Sequence, residues 1–532
     1  MKTLYFTLII LLISTLVSGQ TDTGNAGHFE NRLLQNITII KSDPGDAARI
    51  IDGPPVHPIQ PHSGAPTEDL SHLNRLVFFI HGLGGEITSW ERVANAMMYP
   101  SQQGVGFYAR KCHTFRFGYA PSYSTMVGVA ADMSNAIGAQ ANIYKSYQGY
   151  NPDPKNNFII AHSQGGIVTR TIAHLEKDAG INNYGGYVTV ASSLQGARIL
   201  NNRASLLNFA EDACSKLAAG KLAESIPVTA SAKVNTVLFG LSKKIINYSC
   251  SGLGTILPEL FKEYTYQLTD DYKVGASHIS DLNAATNHPE LMQLHKIAFY
   301  GVEPPENILW RTFNWMIKPT NGELPWEAND DFYLLQSFVI PTRNDYQNYY
   351  QTNKDKYIFN YQKYMIYSWL PVLGISYYNK AMGYHTKMIQ WGKGVTWFDN
   401  ANEGWNSIIG ALEKTTTTIC ECYCLHNGVY SYTYTPDCTD CAVSCPGYLL
   451  SSGPVTHITW TRKENDGIVL AESAKDLPGA TFQPQKLNGI EILGQPPTGS
   501  SHFQIRNDEG LRKYLSKLLD EKLDPWFALQ IQ

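Results

Sequence analysis

Beyond residue 19 the chain has no apolar run long enough to cross a bilayer, and it has no marked excess of charge of either sign. The first absence excludes a multi-spanning membrane protein. The second, a net charge of −4 over 532 residues, removes any electrostatic reason to expect nucleic acid as a partner. Charged residues are scarce, at 17% against 43% hydrophobic, which is the balance of a globular protein with an ample core. Cysteine is thinly spread over most of the chain. Only Cys112, Cys214 and Cys250 precede residue 420; the other six of nine, Cys420, Cys422, Cys424, Cys438, Cys441 and Cys445, crowd into one segment.

What is present begins with Met1-Lys2, an apolar run from Leu4 to Val17, and Ser18-Gly19-Gln20. This is the pattern of a secretory signal peptide cleaved near Gly19, and the apolar stretch is short for a membrane anchor. The mature protein is therefore expected to be soluble and secreted, extracellular or periplasmic. Export favours disulfides. Cys214 and Cys250 make a natural pair within one segment, and the last six cysteines can form three bridges whose connectivity the spacing does not give. Cys112 is left over. Cys438-x-x-Cys441 also has the spacing of zinc ligands, but export favours the disulfide reading. Asn36-Ile37-Thr38 and Asn247-Tyr248-Ser249 are glycosylation acceptors in a eukaryotic host.

The length exceeds that of one α/β domain, so a single domain with large insertions is expected. After the signal peptide, residues 20–70 read as an N-terminal arm, because Pro54-Pro55-Val56-His57-Pro58-Ile59-Gln60-Pro61 is too rich in proline for a helix or central strand. Residues 71–200 then show short apolar runs at Leu76–Ile80, His113–Phe117, Phe158–Ala161 and Tyr187–Ala191, with a helical stretch over 126–147. Strands alternating with helices argue for a mainly parallel sheet. In 201–285 the pattern becomes helical: Leu207, Ala210, Cys214 and Leu217 share one face, as do Val234, Val237, Leu238, Leu241 and Ile245. Core sequence returns within 286–304. A second insertion, 305–455, is rich in tyrosine and tryptophan and ends in the cysteine cluster; its periodicity assigns no fold. The high aromatic content, 12%, favours extended apolar or sugar-contacting surfaces. Residues 456–532 complete the core.

Two segments carry the chemistry. Phe78-Phe79-Ile80-His81-Gly82-Leu83-Gly84-Gly85 and Ile159-Ile160-Ala161-His162-Ser163-Gln164-Gly165-Gly166 are each an apolar run ending in a glycine-rich turn. The second has a serine at its apex with small residues on both sides, and it is followed by apolar positions 168, 172 and 175 at helical spacing. Strand, turn and helix in that order define a nucleophile elbow, with Ala161 in place of the usual first glycine. The amides of Gln164, following the serine, and of Leu83, in the upstream loop, are the candidate oxyanion donors. His81 and His162 read as structural histidines that pack or hydrogen-bond locally.

With these two motifs about eighty residues apart, the chain resembles the α/β-hydrolase superfamily, and within it secreted bacterial triacylglycerol lipases. The resemblance covers the core and neither insertion. It implies a mainly parallel sheet flanked by helices, and it makes 201–285 a helical cap or lid that excludes water and contacts lipid when open. It also implies the chain order serine, acid, histidine. Asn465-Asp466-Gly467-Ile468-Val469 is similar to the segment holding the catalytic aspartate of lipases, which makes Asp466 the acid, with Glu303 as runner-up. His502, the only histidine after Asp466, is the base. It lies between an expected last strand over 487–493 and an expected terminal helix over 509–519. Some calcium-dependent lipases have an aspartate two residues after the catalytic histidine. Gln504 stands there in this chain, so no metal is expected, and no cofactor. The implied function is hydrolysis of a lipid or other carboxylic ester through an acyl-enzyme. The alternatives are a phospholipase or acyltransferase with the same triad, or a surface- or glycan-binding protein on a hydrolase scaffold.

Overall fold

The computed structural model describes residues 37–41, most of 75–93, 113–145 and 153–217, then 268–284, 294–304, 308–309, 340–487 and most of 499–528. The signal peptide, Cys112, the Cys214–Cys250 pair, the acceptor asparagines Asn36 and Asn247 and nearly all of the expected cap lie outside the described residues.

The five residues of β2 (Leu76–Ile80) are buried without exception, and so are those of β4 (Phe158–His162) and β5 (Gly186–Val190). Strands with both faces apolar suit a parallel sheet covered on both sides. Because successive side chains point to opposite faces, each strand feeds two cores. Phe78, Ile80, Ile159 and Ala161 pack in one with helices α1 (Met126–Lys145) and α2 (Gln164–Asp178). Val77, Phe79, Phe158 and Ile160 pack in the other with Leu511 and Leu515, which belong to the later helix Glu509–Leu519.

Among the described residues the main sheet has the order β1-β3-β2-β4-β5-β6-β10. Here β3 is His113–Tyr119, β6 His295–Gly301 and β10 Gln485–Leu487. The six strands β3, β2, β4, β5, β6 and β10 are parallel. The seventh, β1 (Ile37–Lys41), lies within the stretch read as an arm and pairs antiparallel with β3 along the edge. The chain runs from β2 outward to β3, then returns across β2 to β4. The connections after β2 and β4 therefore diverge, leaving a crevice at the carboxyl ends of these strands, where α/β sheets place their ligand sites. Register puts Ile80 opposite Ala161, so the loops starting at His81 and Ser163 leave the sheet side by side.

From residue 340 onward the aromatic insertion is a helical hairpin followed by a small sheet. Helices α3 (Ile340–Tyr367) and α4 (Gly374–Ile408) pack along aromatic side chains seven residues apart: Tyr350, Tyr357 and Tyr364 against Tyr377, Tyr384, Trp391 and Phe398. Seven-residue spacing keeps one face of each helix on its partner. Gly394 admits the Tyr350 ring where a Cβ would collide with it. At its base α4 joins the main core, with Trp397 and Trp405 on Phe209.

The small sheet has the order β8-β7-β9, with β7 Leu412–His426, β8 Val429–Thr435 and β9 Tyr448–Arg462. β9 pairs with β7 along its whole length, as far as Arg462. Cys420, Cys422 and Cys424 alternate along β7 and thus share a face. Cys438, Cys441 and Cys445 lie on two short helical turns, three and four residues apart, and share a face there. The two rows meet in order, as Cys420–Cys438, Cys422–Cys441 and Cys424–Cys445. The buried cluster beneath this sheet is built of the cysteines themselves with Leu449. Bridges closing loops of 18, 19 and 21 residues are each worth about 3 kcal/mol. Reduction is therefore expected to make 412–462 sensitive to protease while the main sheet stays resistant. Limited proteolysis with and without reductant, mapped by mass, checks this; equal resistance in both would contradict it.

Candidate active site

Ser163 sits between the end of β4 and the first residue of α2, with φ 54° and ψ −124°. A non-glycine residue in this region is strained. Close packing sustains it: the Ser163 amide donates to the Val190 carbonyl at 2.9 Å, and the Gly166 amide donates to the Ser163 carbonyl at 3.0 Å. The two residues after Gln164 must be small. A Cβ on Gly165 would fall 2.6 Å from the His81 carbonyl oxygen, and one on Gly166 would collide with Ser192. The elbow presents the Ser163 side chain half-buried at the switch point of the sheet.

The structure brings the three sequence-selected residues into one chain of hydrogen bonds. His502 Nε2 is 2.9 Å from Ser163 Oγ, and His502 Nδ1 is 2.8 Å from Asp466 Oδ2. Asp466 and His502 are buried. The other Asp466 oxygen, Oδ1, accepts the amides of Ile468 at 3.1 Å and Val469 at 2.8 Å. The His502 amide donates to the Asp466 carbonyl at 2.7 Å, so acid and base are tied through backbone as well as side chain. The Asp466 turn is held from below by Asn465 Oδ1, which accepts the Gly467 amide at 2.9 Å. It is held from the side by the indole of Trp405, which donates to the Gly467 carbonyl at 2.8 Å. Glu303, the runner-up acid, is also buried beside this turn, its amide donating to the Asn465 carbonyl at 2.7 Å.

The loop carrying Leu83 lies directly over the serine: a Cβ on Gly82 would come 2.6 Å from Ser163 Cβ. His81 fixes this loop. Its Nδ1 donates to the Gly82 carbonyl at 2.8 Å, so its Nε2 is the acceptor, and it takes the Tyr119 amide at 3.5 Å. The Tyr119 ring stacks on it at 4.3 Å. Leu83 is half-buried in the turn that follows, and Gln164 opens α2, where the first helical amides have no partner within the helix. Tyr119 also steadies Gln164, its hydroxyl lying 3.1 Å from Oε1 and 3.0 Å from the His81 carbonyl oxygen.

His162 makes a hydrogen bond beyond its own turn. Its Nε2 donates to the carbonyl of His502 at 2.8 Å, and the two rings stand 4.7 Å apart. Trp90 meets its other side edge-on at 6.3 Å. Burial lowers the pKa of His162 well below the usual histidine value, with the nearby His502 and Arg506 adding to it. Burial likewise lowers that of His81, to about 4. Both rings are therefore neutral at ordinary pH. Among the described residues no cluster of three or more histidine, cysteine or carboxylate side chains is arranged to hold a metal.

Elbow, sheet order and switch-point crevice together define an α/β-hydrolase-type domain. Residues 73–218 match the family described as the PGAP1-like alpha/beta domain, a stretch that spans β2 to β5 and includes Leu83, Ser163 and Gln164. Two solved structures illustrate the remoter likeness. One is a lipase-esterase related protein from Clostridium acetobutylicum, with 16% identity over 26% of this chain and a TM-score of 0.17. The chain spans half of that protein's length. The other is the Vlm2 thioesterase domain bound to a dodecadepsipeptide, with 15% identity over 40% of this chain and 79% of that one, and a TM-score of 0.20. No curated protein matches the chain in sequence.

Proposed function

We propose that this protein is an exported serine hydrolase that cleaves carboxylic esters of lipids, a triacylglycerol lipase or esterase. The observation that carries the reading is the continuous bonding from Asp466 through His502 to Ser163, at 2.8 and 2.9 Å. Ser163 Oγ attacks the ester carbonyl while His502 Nε2 takes its proton. The oxyanion is held by the amides of Gln164 and Leu83. The tetrahedral intermediate collapses with transfer of the proton from His502 to the leaving alcohol, giving the acyl-enzyme. Water, activated by the same histidine, then attacks the acyl carbonyl, and Ser163 recovers its proton. Asp466 fixes the His502 tautomer and stabilises the imidazolium. The core that does this is assembled from 71–200, 286–304 and the chain after Arg462, with 201–285 as its cap. The three disulfides support export, and no helix among the described residues is long and apolar enough to cross a membrane.

The test is hydrolysis of p-nitrophenyl esters of short and long chains by the mature protein with Ser163→Ala alongside. Turnover of long chains that falls by at least about a thousandfold in the variant is the expected result. Turnover of short chains alone reduces the proposal to an esterase. Turnover that appears only with an added alcohol makes the protein an acyltransferase. A folded protein inert toward every ester would overturn the reading in favour of a binding role.

A further inference from the structure

The tip of the α3–α4 hairpin is the most exposed apolar surface of the described residues. Trp369, Val372 and Ile375 are 87%, 92% and 81% exposed, and Ile366, Leu370 and Leu373 are exposed beside them. The tip is an ordered turn. The amides of Ser368, Trp369 and Leu370 donate to the carbonyls of Tyr364, Ile366 and Tyr367, and that of Tyr377 donates to the Leu373 carbonyl. Exposed apolar groups gathered this way mark an interaction site rather than scattered surface residues. The hairpin also carries them well away from the core. Trp405 is bonded to the Asp466 turn, and the helix from there back to Gly374 is about 45 Å long at the standard rise.

Charge indicates the occupant. From Lys356 through Phe398 the chain has no aspartate or glutamate and five lysines, at 356, 363, 380, 387 and 393. Just behind the apolar tip stands a ring of tyrosines. Tyr364 stacks with Tyr377 and Tyr384, and Lys380 lies 4.6 Å and Lys363 5.9 Å from the Tyr364 ring centre. An apolar end backed by a belt in which aromatic rings and lysines lie side by side matches a bilayer, which presents acyl chains and then its polar interface and headgroups. A second copy of the tip would bring lysines against lysines. Neither helix is apolar enough to cross a bilayer, so the hairpin dips in and does not span.

We propose that the hairpin tip docks the protein on a lipid surface bearing anionic headgroups, inserting Trp369, Val372 and Ile375 while Lys363 and Lys380 meet the headgroups. This contact is separate from any made by the cap, and it does not rest on the hydrolase reading.

The test uses the full mature chain carrying Ser163→Ala, so that no lipid is consumed whatever the activity. Flotation with phosphatidylcholine vesicles containing phosphatidylglycerol is compared with flotation on phosphatidylcholine alone. Preference for the anionic vesicles is expected, weakening as salt is raised. Trp369→Ser/Val372→Ser/Ile375→Ser is expected to reduce vesicle partitioning at least about tenfold. Lys363→Glu/Lys380→Glu, which leaves the apolar tip intact, is expected to reduce it by about twentyfold or more and to abolish the preference for anionic lipid. Far-UV circular dichroism confirms the hairpin in both. The proposal is overturned if the parent chain binds neither vesicle, if both variants float as it does, or if sedimentation shows a dimer that the triple variant dissolves. The last outcome would make the tip a contact between copies.

Discussion

Asp466→Asn is expected to lower kcat for ester hydrolysis about ten-thousandfold while leaving KM and the fold nearly unchanged. The substitution is close to isosteric, so the effect must come from hydrogen-bond polarity. Asp466 Oδ1 accepts two backbone amides, from Ile468 and Val469. An asparagine must keep its carbonyl oxygen on that side, because an NH2 group there would face two donors. Its NH2 is then presented to His502 Nδ1, which can respond only by accepting. The proton of the imidazole moves to Nε2, facing Ser163 Oγ, where the proposed mechanism needs a lone pair. Steady-state kinetics, with thermal unfolding as a check on folding, measure this. An activity within about tenfold of the parent would mean that another group orients the base. Glu303, buried beside the same turn, would be the first candidate.

Between about pH 6.5 and pH 4 the protein is expected to lose stability steeply, because two buried histidines are neutral in the fold. The folded pKa of His81 is lowered from 6.5 to about 4, by burial first and by Arg506 in addition. In this window the unfolded state binds a proton that the folded state refuses, so stability falls as pH falls. At about 1.4 kcal/mol for each pH unit, His81 alone accounts for on the order of 3 kcal/mol. The contribution is fully present above the unfolded value and lost as pH descends to the folded one. His162, whose pKa is lowered well below the ordinary value by burial, acts in the same sense. Glu176 acts oppositely, since burial raises its pKa and lets the folded state take up a proton first. Thermal unfolding across this range, in the parent and in His162→Gln, measures the effect. The melting temperature of the parent should drop more steeply with falling pH than that of the variant. A flat profile in the parent would contradict the account.

These two groups also show how far the sequence could be read. β2 was legible to the residue, because an uninterrupted apolar run ending in a glycine turn has few other uses in an α/β chain. The elbow was legible because only small residues can stand at Gly165 and Gly166 with the His81 loop and Ser192 so close. The choice of Asp466 over Glu303 was less direct. Both are buried, the Glu303 amide bonded to the carbonyl of Asn465 next to Asp466, and only folded geometry shows which carboxylate reaches His502 Nδ1. The bond from His162 to the His502 carbonyl links residues 340 positions apart, and local sequence carries no trace of it.

The insertion was opaque for a different reason. Tyr350, Tyr357 and Tyr364 mark a seven-residue seam, but aromatic and apolar side chains also occupy the outer faces, among them Phe359, Ile366 and Tyr378. A helix whose outer faces mix polar and apolar side chains gives little amphipathic contrast. The seam becomes visible when the aromatic residues are counted alone. The disulfide order had a signal that spacing rules for whole motifs miss. Alternate cysteines on a strand and cysteines three and four apart on helical turns each form a single row, and two rows can be stitched in order. The edge strand β1 rests on a short β-branched run, Ile37-Thr38-Ile39-Ile40, isolated in sequence upstream of a proline-rich arm, and its partner β3 lies more than seventy residues away.

The central claim is that Ser163 is the nucleophile, and it can be tested without knowing the ester. The folded mature protein is treated with an alkyl fluorophosphonate, in which an activated serine displaces fluoride and keeps the phosphonyl group. Intact mass and peptide mapping then locate the adduct. The account predicts one adduct, on Ser163, absent from Ser163→Ala and formed far more slowly in His502→Ala. A folded protein that takes up no phosphonyl group, or takes it up on another serine, would contradict it.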